Sequence, residues 1–195
     1  MLSLIKGRRM TRNFKETPLS SEIAQELIDA ARFAPRAGNA EGIRYLLLQG
    51  DSVKHYWDVT LKGEDREQFP WPGLLKAPTL IIIWTNSDDY LNRYSEIDKE
   101  STGLGKNEKA WGTPYWWVDG GMAAMTILIG AESKNLGSLF FGLFGKEDAV
   151  KARFDVPDRY RAVGAIAIGH AAEQQRRSQS TSRRRMTIEE LIFEP

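Results

Sequence analysis

The run Pro78-Thr79-Leu80-Ile81-Ile82-Ile83-Trp84 constrains this chain more than any other segment. A continuous apolar stretch rich in β-branched side chains and opened by a proline suits a strand covered on both faces, because such side chains pack well on a pleated surface. The run is expected to form a central strand, with a layer of structure above it and another below.

The rest of the chain has the material for those layers. Ser20 is placed to cap a helix, Glu22 suits the positive N-terminal end, and Ile23, Leu27, Ala31 and Ala34 recur along one face until Pro35 stops it. Residues 43–49, between Gly42 and Gly50, read as a second buried strand, and 52–61 as a helix. A helix over 119–135 carries Gly120, Gly121, Ala123, Ala124, Gly130 and Ala131, small residues that let another backbone approach closely, which marks it as a packing spine. Strands at 138–141 and 162–168 flank a short helix at 146–154. Helices interspersed with buried strands favour an α+β or α/β three-layer domain. One domain over 1–195 is expected, with a loop excursion at about 86–117 and a polar, Gln- and Ser-rich connection at about 173–182. The tryptophans that end the excursion suit a pocket wall and a core equally.

Composition narrows the chemistry. With no cysteine, the chain has no disulfide, no thiolate nucleophile, and no Cys-ligated zinc or iron–sulfur cluster, so redox chemistry requires a borrowed cofactor. His55 and His170 stand far apart without metal-ligand spacing, which argues against a His-based metal site or a Ser-His-Asp triad. The net charge of +1 gives no basic surface for nucleic acid. No apolar run reaches the roughly 18 residues of a membrane span, and Met1 to Gly7 is too short and broken for a secretory segment. The cytoplasm is the expected location.

Arginines cluster at both ends, Arg8, Arg9 and Arg12 near the start and Arg183, Arg184 and Arg185 near the finish. Arginines near a terminus are as a rule a solvated face. A planar guanidinium that keeps its charge and donates two parallel hydrogen bonds also suits a phosphate, provided the fold brings the two clusters together. Between them lie the turn Ala34-Pro35-Arg36-Ala37-Gly38-Asn39, whose Gly and Asn tolerate positive φ, and the stretch Leu136-Gly137-Ser138 leading to Phe140-Phe141-Gly142.

Taken in order, these four segments resemble the nitroreductase family of FMN-dependent oxidoreductases over nearly the whole chain. In that family the first segment reads roughly Arg-Arg-Ser-x-Arg-x-Phe and grips the flavin phosphate and ribityl chain; Arg8, Arg9, Arg12 and Phe14 match it, and Met10 replaces the serine. A methionine cannot donate that hydrogen bond, so Thr11, the backbone or another arginine must compensate. The second family segment, which reaches the flavin held by the partner subunit, matches at Ala34, Pro35 and Asn39 and departs at Arg36, Glu41, Gly42 and Ile43. Pro35, Arg36, Ala37 and Asn39 are therefore implied cofactor contacts. Phe141, Gly142 and Leu143 fall where the family backbone passes flavin N5, and Arg183 and Arg185 fall on the C-terminal pair that binds the phosphate.

The resemblance implies an α+β three-layer sandwich, with a mostly antiparallel central sheet flanked by helices, in an intertwined homodimer that carries FMN at its interface and packs through the small-residue helix. It implies ping-pong transfer of hydride from NADH or NADPH through flavin N5 to a nitroaromatic, a quinone or a similar electron-poor acceptor, with no catalytic side chain required. Tyr115 and Trp116 are candidate walls of the substrate channel. Open alternatives are a flavin-cleaving or dehalogenating member, a non-catalytic FMN-binding protein, and an arginine-rich interaction module without flavin.

Overall fold

The computed structural model describes residues 1–175 and 178–194. Its elements, in chain order, are α1 (Leu2–Gly7), α2 (Ser21–Ala31), β1 (Ile43–Gln49), α3 (Asp51–Thr60), α4 (Gly63–Glu67), β2 (Thr79–Thr85), α5 (Ser87–Tyr94), α6 (Tyr115–Ser133), β3 (Gly137–Phe141), α7 (Glu147–Phe154), β4 (Arg161–Gly169) and α8 (Ile188–Leu191). Every residue of β2 is buried, as a strand covered on both faces requires. It pairs antiparallel with β1 on one side, Leu46 opposite Ile82, and with β4 on the other, Ile82 opposite Ala165. Strand β3 pairs antiparallel with β4, so the order is β1-β2-β4-β3.

Side chains alternate across the pleat and split the core in two. Ile81, Ile83, Ile166 and Ile168 face Leu27 of α2 and Ile127 of α6. Leu80, Ile82, Ala165 and Ala167 face Val53, Tyr56 and Trp57 of α3 and Val150 of α7. Each fully buried Leu or Ile contributes about 1.5–3 kcal/mol, so this double cover is the main source of stability. The result is the three-layer α+β arrangement.

Most of the small residues of α6 form a packing spine directed inward, whereas Gly121 is exposed with open space beside it. A Cβ at Gly120 would lie 2.6 Å from Val163 of β4, and one at Gly130 would lie 2.8 Å from Leu27 of α2. Away from that spine α6 exposes Met122 and Met125, and its first turn exposes Trp117.

Two boundaries differ from the sequence reading. Helix α6 begins at Tyr115 rather than at Asp119, entered directly from Pro114. The stretch expected to be a loop contains α5, capped by Asn86, whose side chain accepts the Asp88 N–H, with Asp88 and Asp89 in the first turn. Tyr90 is the one buried residue of α5, too little apolar signal for periodicity to register.

The edge strand β3 is extended by the N-terminal segment. Met10 bridges Ser138 in parallel, the Thr11 N–H donates to Ser138 O at 2.9 Å, and Phe14 bridges Ala171. Further hydrogen bonds tie residues 12–15 to 170–175: Lys15 N–H to His170 O at 2.9 Å, Asn13 Nδ2 to Gln174 O at 2.8 Å and Gln175 Nε2 to Asn13 O at 2.6 Å. The chain thus leaves the sheet for its C-terminal tail from beside Arg12. Among the described residues, no helix is long and apolar enough to cross a membrane.

Candidate functional site

Against the β3 edge lies a cavity of about 560 Å³, walled by α3, the 69–74 turn and the chain that leaves β3. Arg12, Phe141, Gly142 and Leu143, distant in sequence, all line it. Its walls are aromatic. Trp57 and Phe141 stack with centroids 5.9 Å apart and planes 11° from parallel, and Phe69 lies 6.4 Å from Trp57. The Arg12 guanidinium sits 5.0 Å from the centre of the Trp71 ring and donates from Nη1 to Met10 O at 3.3 Å. A flat face of aromatic rings with a stacked cation at one side suits a planar, electron-poor ligand that carries negative charge.

Gly142 leaves that wall bare. A Cβ there would meet nothing nearer than the Phe144 ring at 3.6 Å, an ordinary contact, and its φ is not in the left-handed range. Neither crowding nor backbone strain within the chain requires a glycine here, so its open face serves the cavity.

The N-terminal arginines divide by role. Arg8 is half-buried, and its Nε and Nη1 are buried without any hydrogen-bond partner. A charged donor stripped of water and given nothing in return is costly, and an anion brought beside it recovers that cost. Arg9 instead spends Nη1 on the carbonyls of Lys6, Gly7 and Arg8, at 2.7, 3.0 and 3.0 Å, where it neutralises the negative C-terminal end of α1. Met10 packs against both halves of the core, so the position that departs from the family serine works as a packing residue. Thr11 does not replace the missing donor at the cavity, because it is buried against Gly137.

The C-terminal arginines are exposed. Arg184 pairs with Glu190 through both terminal nitrogens, at 2.9 and 2.6 Å, beside the Thr187–Glu190 capping box of α8. Arg183 and Arg185 have no hydrogen bond or ion pair among the described residues.

The Pro35–Asn39 turn lies away from the cavity and borders a separate concavity with Arg32, Phe33 and Glu41. Gly38 and Asn39 adopt φ of 59° and 57°, the positive values their residue types permit. Arg36 pairs with Glu41 at 2.6 Å and donates from Nη2 to Asn39 Oδ1 at 3.3 Å, so the two charged departures from the family segment neutralise each other. Burial pushes the Tyr45 hydroxyl up to about 12, partly offset by Arg36. Burial also raises the Asp119 carboxyl above its ordinary value, against hydrogen bonds from Ala37 and Tyr90 that lower it.

Neither candidate channel residue lines the cavity of this chain. Trp116 is buried against Tyr90 and Trp111, at 6.1 and 5.8 Å, and Tyr115 is partly exposed beside Trp111 at 6.1 Å. The aromatic wall residues Trp57, Phe69 and Trp71 escaped the sequence reading. Trp57 belongs to a helix whose apolar face reads as ordinary core, and the 69–74 turn carries no motif.

The pattern of the nitroreductase family matches residues 5–170. The chain belongs to that family. Among its relatives is an NADPH-dependent oxidoreductase of Staphylococcus aureus, 24% identical over 176 residues; the match covers 89% of this chain and 65% of that longer protein. In three dimensions the chain resembles a nitroreductase family protein of Streptococcus pneumoniae, with a TM-score of 0.75 at 18% identity over 100% of this chain and 99% of that one. It also resembles a protein of Exiguobacterium sibiricum solved in complex with FMN, with a TM-score of 0.74 at 19% identity over 100% and 96%. At these identities the solved structures speak for the nitroreductase fold alone.

Proposed function

We propose that this nitroreductase-family protein is an FMN-dependent oxidoreductase that takes electrons from NADH or NADPH and passes them to nitroaromatic, quinone or similar electron-poor acceptors. The observation that carries the reading is the aromatic cavity lined by Arg12, Phe141 and Gly142; Arg8, outside that lining, adds a buried Nε and Nη1 without a partner. The chemistry FMN supplies when bound is hydride acceptance and release at N5.

The protein's own residues then have separable tasks. Arg8, together with Arg183 and Arg185, holds the phosphate, because charge-assisted donors bind a dianion more strongly than neutral ones. Arg12, fixed over Trp71, places a cation beside the ribityl chain and ring, where negative charge develops on reduction. Trp57 and Phe141 give the ring a flat apolar seat that excludes water. The bare backbone at Gly142 allows close approach of a fixed N–H donor.

The working particle is a homodimer. The exposed Trp117, Met122 and Met125 of α6, together with Met186, Ile188, Leu191, Ile192 and Phe193 of the tail, form apolar surface that a second copy covers. In that dimer the Pro35–Asn39 turn, remote from the cavity of its own chain, serves the cavity of its neighbour. Purification decides the first step: the protein is expected to be yellow, with a colour that bleaches with NADH or NADPH under nitrogen. Colourless protein that takes up no FMN from solution overturns it. Retained flavin that neither donor reduces leaves a non-catalytic FMN-binding protein, and flavin destroyed during aerobic turnover points to a flavin-cleaving enzyme.

A further inference from the structure

The 86–119 region, outside the cavity of its own chain, holds the Pro35–Asn39 turn through several separate contacts. The Ala37 N–H donates to Asp119 Oδ2 at 2.8 Å, and the Tyr90 hydroxyl donates to the same oxygen at 2.9 Å. Arg93 Nε donates to Gly38 O at 2.8 Å, while its remaining nitrogens are anchored by Asp98 at 2.7 Å and Glu96 at 3.0 Å. The Tyr94 ring covers Gly38 so closely that a Cβ there would lie 2.7 Å from it, and the Tyr90 ring covers Gly42 in the same manner. Behind these rings Trp111 packs edge-on against Tyr94 at 4.7 Å and Tyr90 at 6.2 Å, with its Nε1 donating to Leu104 O at 2.8 Å.

Asp119 is 2% exposed and Tyr90 is fully buried, so a carboxylate has been taken out of water at the centre of this arrangement. Burying a carboxylate is expensive, and one placed only to fill space would be replaced by an apolar side chain at no loss. Its two hydrogen bonds come from the turn, at the Ala37 N–H, and from Tyr90, whose ring covers Gly42 just beyond the turn. Among the described residues only Arg36, which is itself paired with Glu41, brings an opposite charge near it.

The geometry points to Asp119 as a positioning residue: with Tyr90 and Arg93 it sets the shape of the Arg36–Asn39 turn and so the way that turn meets the cofactor held by the neighbouring subunit. Asp119 acts through the turn, by its hydrogen bonds from Ala37 and Tyr90. The inference rests on the reading of a dimeric FMN site given above, and it assigns to the 86–119 region the support of the cofactor shell in place of a channel wall.

Hydrogen exchange at the Ala37 amide of the FMN-free full-length protein, followed by FMN titration and the midpoint potential of the bound flavin, tests it. Asp119→Ala is expected to speed Ala37 exchange at least about tenfold and to weaken FMN binding by a similar factor, with circular dichroism and dimer mass unchanged. Asp119→Asn keeps an acceptor for the amide and is expected to restore most of both; Tyr90→Phe and Arg93→Ala each release one tie and shift both measures in the same direction if Asp119→Ala does not fold. Unchanged exchange in Asp119→Ala overturns the inference, as does fast exchange combined with wild-type FMN affinity and potential. Wild-type protein that takes up no FMN defeats the functional reading instead, a result distinct from the exchange measurement.

Discussion

Trp57 and Phe141 stack in parallel but offset, with centroids 5.9 Å apart and planes 11° from parallel, although one stands on a helix and the other ends an edge strand. The pair is at once part of the α3-side core and a wall of the cavity. Trp57→Ala removes a side chain that is 95% covered, given its 5% exposure. The expected cost is about 3–5 kcal/mol of stability, because the cavity already beside it prevents collapse. Denaturant unfolding measures the loss, and FMN affinity is expected to fall with it. A loss of stability below about 1 kcal/mol would refute the packing role.

Arg8→Ala and Arg9→Ala should separate cleanly. Removing Arg8 eliminates a half-buried guanidinium whose Nε and Nη1 have no partner, so FMN-free protein should unfold no earlier, while FMN binding weakens by about 1.5–3 kcal/mol as a charged hydrogen bond is lost. Removing Arg9 releases the α1 carbonyls and should leave FMN affinity within about threefold of wild type. Thermal unfolding without flavin and fluorescence titration with it read both. Equal losses of affinity in the two variants would refute the division.

Alkaline pH should destabilise the fold through its tyrosines. Tyr45 keeps its proton in the folded state up to about 12, whereas the unfolded side chain ionises near 10.0. Between those values the unfolded chain binds fewer protons than the folded one, so stability falls as pH rises through that window. Tyr56 and Tyr90, also raised by burial, act in the same direction. Tyr45→Phe should flatten the slope without abolishing it, as read by denaturant midpoints beside the tyrosinate difference spectrum. A slope unchanged by the substitution would show that Tyr45 does not contribute.

The dimer should depend on the outward face of α6. Met122 and Met125 are exposed in the single chain, so Met122→Asp has little to disturb within it and places a charge in the contact with a second copy. Sedimentation is expected to show monomers whose fold is retained and whose FMN washes out. Dimers that persist in the double variant Met122→Asp/Met125→Asp would place the interface elsewhere.

Much of the candidate site was legible because its signals are local. The positive φ of Gly38 and Asn39 follows from residue types that tolerate it, and Arg12, Phe141, Gly142 and Leu143 stand in segments whose order matches the family. The aromatic walls were not legible: nothing in the spacing of Trp57, Phe69 and Trp71 tells a ring that faces a cavity from one that faces a core. The same ambiguity left Trp116 open between pocket and core, and its contacts with Tyr90 and Trp111 put it in a packed cluster of its own.

By itself the sequence determined the central strand, the layers on either side of it, and the arginine and glycine segments, because burial on both faces of a sheet and backbone tolerance are written in consecutive residues. Tertiary structure alone decided which groups remain unsatisfied. Arg8 and Arg9 are adjacent and chemically identical, yet one is used up capping α1 and the other is buried with nitrogens unpaired. Asp119 reads as any helical aspartate until the fold brings the Ala37 amide and the Tyr90 hydroxyl to one of its oxygens. Hydrogen-bond partnership and desolvation depend on what the rest of the chain brings within about 3 Å, and no local pattern carries that distance.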